Sequence, residues 1–151
     1  MSATVYELLG ESHDRQRELC ARLTRTRASN AQGRVETMTA LRIELAAHAA
    51  AEERYLYVPM LMADMGLQSA RHALSEHHDI DELVEELQSL DPTGQAWGEQ
   101  AKALAHKVRH HLKEEEGKFF QISGKIMTEA QKLSLGGKYQ RDYRRMREVV
   151  S

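Results

Sequence analysis

Four stretches of this chain carry apolar residues at helical spacing, and each breaks its own apolar stripe with a histidine. The histidines are His13, His48, His77 and His111, and two of them are followed four residues later by a glutamate, Glu52 and Glu115. A helix stripe facing a bundle core ordinarily holds Leu, Ile, Val or Ala. Ionisable groups buried there without partners are strongly destabilising, so such a fold needs compensation, and a pair of metal ions held in the core would supply it.

The rest of the sequence predicts helices throughout. Only two prolines occur, Pro59 and Pro92, and strand-length alternation of β-branched or aromatic residues is missing. The spacing predicts helix over residues 4–27, opened by a capping-box pattern at Thr4 to Glu7, then a loop over residues 28–33. A second helix is expected over 34–64, stopped by Met65-Gly66, and a third over 69–90. Asp91-Pro92-Thr93-Gly94 breaks the chain before a fourth helix over 95–120. Short loops between long helices predict an all-α, up-down-up-down antiparallel four-helix bundle over residues 1–125. A short C-terminal helical extension of the same domain is expected over 126–151.

The register then selects among the eight histidines. On the second helix the stripe is Met38, Leu41, Leu45, His48, Glu52, Tyr55 and Pro59. On the third it is Ala70, Ala73, His77, Ile80, Val84 and Leu87, which chooses His77 over His78, some 100° away. On the fourth it is Trp97, Ala101, Leu104, Val108, His111, Glu115 and Phe119, leaving His106 and His110 on other faces. The first helix is less regular: His13 falls one turn after Leu9, on a face that also bears Gln16, Leu19, Cys20 and Leu23. A His and a Glu four apart stack on one face and can approach one ion together. A single core histidine is ordinarily just a satisfied polar side chain. Two His-Glu pairs plus two lone histidines converging from four helices are harder to explain that way, since buried Glu is rare unless paired.

In order and spacing, these segments resemble the hemerythrin family in its bacterial HHE cation-binding form. The matching pieces are His13-Asp14, HAAAEERYLYVP from His48, SEHHDIDELVEEL from Ser75, and HHLKEEEGKFF from His110. The resemblance implies a non-haem di-iron centre bridged by an oxo or hydroxo group, with His13, His48, His77 and His111 as terminal ligands and Glu52 and Glu115 as bridging carboxylates. One departure bears on chemistry. Oxygen-carrying hemerythrins have a fifth histidine four residues before the one matched by His77, and here that position is Ala73. Counting coordination positions on two six-coordinate irons then leaves two for solvent, a further ligand or a substrate. Glu44, Tyr55 and Glu76 are the candidate further ligands, although each is more ordinary as a surface carboxylate or a core tyrosine.

The function expected from the resemblance is binding of dioxygen, nitric oxide or peroxide at the iron pair, as a sensor, iron-handling or scavenging protein. The alternatives are a carboxylate-bridged di-iron oxidase or peroxidase, and a metal-free helical interaction module. A formal net charge of −2 gives no electrostatic case for nucleic acid or an anionic membrane. The N-terminus lacks an apolar signal-peptide core and no stretch approaches a membrane span, so the expected location is cytoplasmic, in keeping with the single Cys20, which reads as a small buried hydrophobe. After Phe120, a second capping-box match at Thr128 to Gln131 leads into a helix-compatible stretch interrupted by Gly136-Gly137. There Tyr139, Tyr143 and Met146 share a face. Lys138, Arg141, Arg144, Arg145 and Arg147 make the segment basic, either as a solvated surface or as a dock for an acidic redox or regulatory protein.

Overall fold

The computed structural model describes residues 2–151, and all regular structure among them is helical. Helix α1 spans Val5–Arg25, α2 Ala31–Glu52, α3 Val58–Leu61, α4 Asp64–Gln88, α5 Gln95–Glu114, α6 Phe120–Ile126 and α7 Glu129–Val150. Two π-helical turns, Glu53–Tyr57 and Glu115–Phe119, join α2 to α3 and α5 to α6 without leaving the helical path. The long helices close a ring in which α1 packs on α2 and α5, α4 packs on α5, and α2 touches α4. No helix among the described residues is long and apolar enough to cross a membrane.

Side-chain caps open α1, α2 and α7. Thr4 accepts from the Glu7 backbone N–H, so the first half of the expected capping box forms. Asn30 caps α2 through the Gly33 N–H, starting that helix earlier than expected and shortening the preceding loop. Met65 and Gly66 do not stop the second helix; they lie in the first turn of α4, because the chain turns at Met62 and Ala63 instead. Gly66 is needed there for close approach, since a Cβ would come within 2.8 Å of the Met60 carbonyl oxygen.

The apolar core is in two parts. One comprises Val5, Leu9, Ala51, Leu56, Met60, Ala73, Phe119 and neighbours. The other comprises Cys20, Leu23, Leu41, Leu45, Ile80, Val84, Leu104, Val108, Leu112 and neighbours. Along every long helix of the ring the site histidine falls where the stripe passes from one part to the other: between Leu9 and Cys20, Leu45 and Ala51, Ala73 and Ile80, Val108 and Phe119. Burying each large aliphatic or aromatic side chain stabilises by roughly 1.5–3 kcal/mol, so the two apolar blocks clamp a polar layer between them. Cys20 is fully buried, and burial pushes its thiol up to about 11, as befits a packing residue.

The C-terminal segment departs most from expectation. It is an unbroken 22-residue helix, opened by a complete capping box between Thr128 and Gln131, and it runs along α2 and α1. Gly136 and Gly137 do not interrupt it. A Cβ on Gly136 would stand 2.5 Å from the Ala3 carbonyl oxygen and 3.0 Å from the Val5 nitrogen, so glycine here lets α7 touch the start of α1. Gly137 is exposed and faces only the Arg141 guanidinium, at 3.7 Å. Gly136→Ala should therefore destabilise the protein by about 1–3 kcal/mol through overpacking. Gly137→Ala should be neutral or stabilise by up to about 1 kcal/mol through helix propensity. Urea unfolding of both variants checks this pair, and equal effects would refute the close-approach explanation.

Candidate metal centre

The polar layer is built by helical repeat. On α2, His48 and Glu52 stack one turn apart, with His48 Nε2 lying 3.1 Å from Glu52 Oε1. On α5 and the π-turn after it, His111 and Glu115 do the same, with Nε2 to Oε2 at 3.3 Å. Helix α1 brings His13 Nε2 to 3.2 Å from Glu115 Oε1, and α4 brings His77 Nε2 to 3.3 Å from Glu52 Oε1. Each glutamate thus faces one histidine from its own helix and one from another. The imidazoles fall into two pairs, His13 with His48 and His77 with His111, with ring centres 5.1 and 4.9 Å apart.

Two four-residue groups result: His13, His48, Glu52 and Glu115, and Glu52, His77, His111 and Glu115. In each, one donor atom per residue lies within 4.8 Å of the others, and every member is buried. Glu52 and Glu115 belong to both groups. The six residues singled out in the sequence are all brought together, whereas His72, His78, His106 and His110 are exposed.

All four imidazoles present Nε2 inward and are held from behind at Nδ1. The acceptors are Glu116 for His13 at 2.7 Å, Glu53 for His77 at 2.8 Å and Glu76 for His111 at 2.9 Å. Tyr139 of α7 lies 3.1 Å from His48 Nδ1. A carboxylate can only accept, so at three histidines Nδ1 carries a proton and Nε2 can offer its lone pair to the centre. The His13 imidazole, and then the Arg17 guanidinium, hold the Glu116 carboxyl down at about 2. For Glu76, burial works upward but the His111 imidazole outweighs it, again giving about 2.

Inside this ring most of the polar atoms lack partners. His13 Nε2, His48 Nε2, His111 Nε2, both Glu52 oxygens and Glu115 Oε1 are fully buried and make no hydrogen bond. Their approaches of 3.1–3.3 Å allow charge attraction but lack the alignment of a hydrogen bond. An orphaned buried polar atom costs on the order of 1–3 kcal/mol. Six of them aimed at one volume from three helices, with His77 of the fourth beside them, fit bound cations: imidazole nitrogens and shared carboxylate oxygens are the donor types that iron, manganese or zinc accept. Opposite charges face one another across the layer. Burial works against ionisation of His13, His77 and His111, yet the facing glutamates raise them to about 9, 10 and 9. Burial likewise opposes ionisation of Glu52, but the surrounding groups, His48 foremost, hold its carboxyl well below 4.5.

None of the three candidate further ligands enters the inner ring. Glu44 is buried but accepts from Ser12, Tyr143 and Arg147. Glu76 stands behind His111, and Tyr55 is only partly buried. The π-turn explains Tyr55. In it the fourth and fifth residues after Glu52, Leu56 and Tyr57, are both buried, and Tyr57 is the one that reaches the ring. Tyr57 is fully buried; its hydroxyl donates to Glu115 Oε2 and lies 3.3 Å from His77 Nε2. Burial, then Glu115 and Glu52, push that hydroxyl well above 10, so it keeps its proton. Tyr57 sits two residues before Pro59, whose missing N–H already breaks the α-helical ladder, the one sequence signal that could have pointed to the shift.

The profile of the hemerythrin HHE cation binding domain matches residues 4–122. This chain belongs to the hemerythrin HHE cation-binding domain family. The match covers the whole ring, the six inward residues included, and stops short of α7. Among solved structures, the chain is similar to an HHE cation-binding domain-containing protein from Mycobacterium kansasii, described as a homolog of Rv2633c. The two share 22% identity with a TM-score of 0.85, over 97% of this chain and 89% of that one, so the likeness extends over α7 and is one of fold. A comparison with curated proteins gives no match.

The electrostatics of this HHE centre fix a pH dependence for the metal-free protein. Three histidines ionise more readily folded than unfolded, so their contribution is complete below about 6.5 and is lost as pH rises through about 9 to 10. Glu52 is shifted the other way, so its contribution is complete above 4.5 and is lost on acidification. Metal-free protein should be most stable between about pH 4.5 and 6.5 and lose stability steadily toward pH 10. Urea midpoints across that range measure it; a midpoint unchanged between pH 6 and 10 would contradict this charge arrangement.

Proposed function

We propose that this HHE protein holds a non-haem di-iron pair between its four ring helices, and that dioxygen, nitric oxide or peroxide binds there. His13, His48, His77 and His111 serve as terminal ligands and Glu52 and Glu115 as bridges. The observation carrying this reading is that two donor groups, each of two histidines and two glutamates, share both glutamates. The same reading takes the ring as an up-down-up-down antiparallel bundle, supported by its short connections.

When bound, such an iron pair supplies electron exchange with a small oxidant at any position the protein leaves open. The chain's own residues do the rest. Glu53, Glu76, Glu116 and Tyr139 orient the imidazoles and set their tautomers. Tyr57 holds a proton at its hydroxyl, between Glu115 and His77, where it can donate to a ligand or shield that edge. The two apolar blocks exclude bulk water.

Ala73 favours sensing, iron handling or scavenging over reversible oxygen carriage. It stands where a fifth histidine would be expected, and beside it a cavity of about 460 Å³ reaches His111 and Glu115. An oxidase acting on organic substrates is less favoured, because only two carboxylates enter the inner ring. A metal-free interaction module leaves the orphaned donors unexplained. The basic face of α7 is partly engaged within the chain, Arg145 pairing with Asp142 and Arg147 with Glu44, which favours a packing role for that helix.

Protein purified without added metal should carry close to two irons per chain and show the charge-transfer absorption of a bridged ferric pair. His77→Ala and His111→Ala should lose most of that iron while keeping their helical circular dichroism. No metal, even after anaerobic ferrous reconstitution, would overturn the di-iron reading. A stable, fully reversible oxy complex would overturn the preference for sensing or scavenging.

A further inference from the structure

The spacing of histidine and glutamate four apart occurs again on α4, as His72 and Glu76, away from the inner ring. His72 Nε2 lies 3.5 Å from Glu76 Oε1 and, across the seam to α5, 3.0 Å from Glu114 Oε2. Donor atoms of these three residues fall within 4.8 Å of one another, close to the span of about 4.4 Å that one cation with bonds of about 2.2 Å bridges. His110 Nε2 stands 3.3 Å from the other Glu114 oxygen, outside this three-residue group.

The location of this cluster is informative. His72 and Glu114 are exposed while Glu76 is buried, so the three span the step from solvent to interior. They line the α4–α5 cavity at its surface end, and the buried His111 and Glu115 line it at the inner end. Glu76 joins the two ends, its Oε1 facing His72 and also accepting from His111 Nδ1. The cavity wall carries three carboxylates, Glu76, Glu114 and Glu115, against one ammonium, Lys118. Lys107 approaches Glu76 on the other oxygen, Oε2, at 3.5 Å, and leaves the His72 side open. Small Ala73 on the same wall keeps the passage from being filled.

We propose that His72, Glu76 and Glu114 form a third divalent-cation site, which takes up ferrous iron from solvent at the outer end of this cavity and passes it to the inner ring. The donor set of one imidazole and two carboxylates suits ferrous iron, manganese or zinc. With only three protein donors and the remaining positions left to water, the ion exchanges rapidly, as a site of passage requires. A negatively lined cleft raises the arrival rate of a cation. Binding at this cluster is independent of the di-iron reading; the delivery role rests on it.

The test is an anaerobic titration of metal-free protein with Co²⁺, counted by equilibrium dialysis, together with stopped-flow measurement of Fe²⁺ uptake. Wild type should bind two cobalt ions tightly and a third more weakly. His72→Ala and Glu114→Gln change exposed side chains, so their fold should persist by circular dichroism. Both should lose only the third ion, and should fill the tight pair about tenfold or more slowly, to an unchanged final content. Glu76 is left intact because it also orients His111. Two ions in every variant, filled at one rate, would overturn the proposal and leave the di-iron reading standing. A third ion whose removal leaves the filling rate unchanged would overturn the delivery role. A weak ion lost in the variants, with no tight pair in wild type, would sustain the outer site and overturn the di-iron reading.

Discussion

The structure depends on one constraint: a layer of buried imidazoles and carboxylates, contributed by four helices, whose inward atoms cannot satisfy one another. Six such atoms lack hydrogen bonds, and each costs on the order of 1–3 kcal/mol. Their total approaches the entire net stability of an ordinary domain, about 5–15 kcal/mol. Two apolar blocks, one on each side, hold the layer in place regardless. In the di-iron reading, shared cations would turn this liability into a link between helices, because Glu52 and Glu115 each face histidines of two different helices. The polar layer therefore sets both the helix register and the chemistry.

Both His-Glu helices change geometry where they leave the layer. The π-turns begin at Glu53, directly after Glu52, and at Glu115 itself. Each inserts an extra residue per turn, and the first redirects the α2 path so that Tyr57 reaches the inner ring and Tyr55 does not. Such insertions forfeit good hydrogen-bond geometry and recur at functional sites, where a side chain needs a position the α-helix cannot give. Here they return bulky rings, Tyr57 and Phe119, to the core directly beside the layer, and the two rings pack edge to face with centres 5.1 Å apart.

Much of this was legible in the sequence because the three-four periodicity is regular along the α-helical stretches. The stripe of α4 reads correctly from Ala70 to Leu87, and it separates His77 from the exposed His78. The α2 stripe reads correctly to Glu52 and then fails at Tyr55 and Pro59, because a period of 3.6 does not apply inside a π-turn. The partners behind the histidines were illegible for another reason. Glu53 and Glu116 each adjoin a site glutamate in sequence, but which neighbouring carboxylate turns toward a given Nδ1 depends on helix packing, not spacing. Gly136 misled outright: a glycine pair ordinarily signals a break, whereas here one of the two serves contact between backbones.

That contact gives α7 a part in the centre, although the family profile ends before it begins. By pressing on the start of α1, Gly136 brings the α7 face of Tyr139 and Tyr143 down on α2. Tyr139 then stands behind His48, the one imidazole with no carboxylate at Nδ1, and its burial pushes the phenol well above its ordinary value, so it remains neutral. A neutral hydroxyl pulls less strongly on an imidazole N–H than a carboxylate does. In the di-iron reading, His48 would thus be the least electron-rich of the four donors and the two halves of the centre electronically unequal. Tyr143 and Arg147 meanwhile secure Glu44, one turn before His48, and keep that carboxylate out of the ring. The C-terminal helix accordingly reaches the polar layer from outside at His48, while Tyr57 reaches it from within at His77 and Glu115.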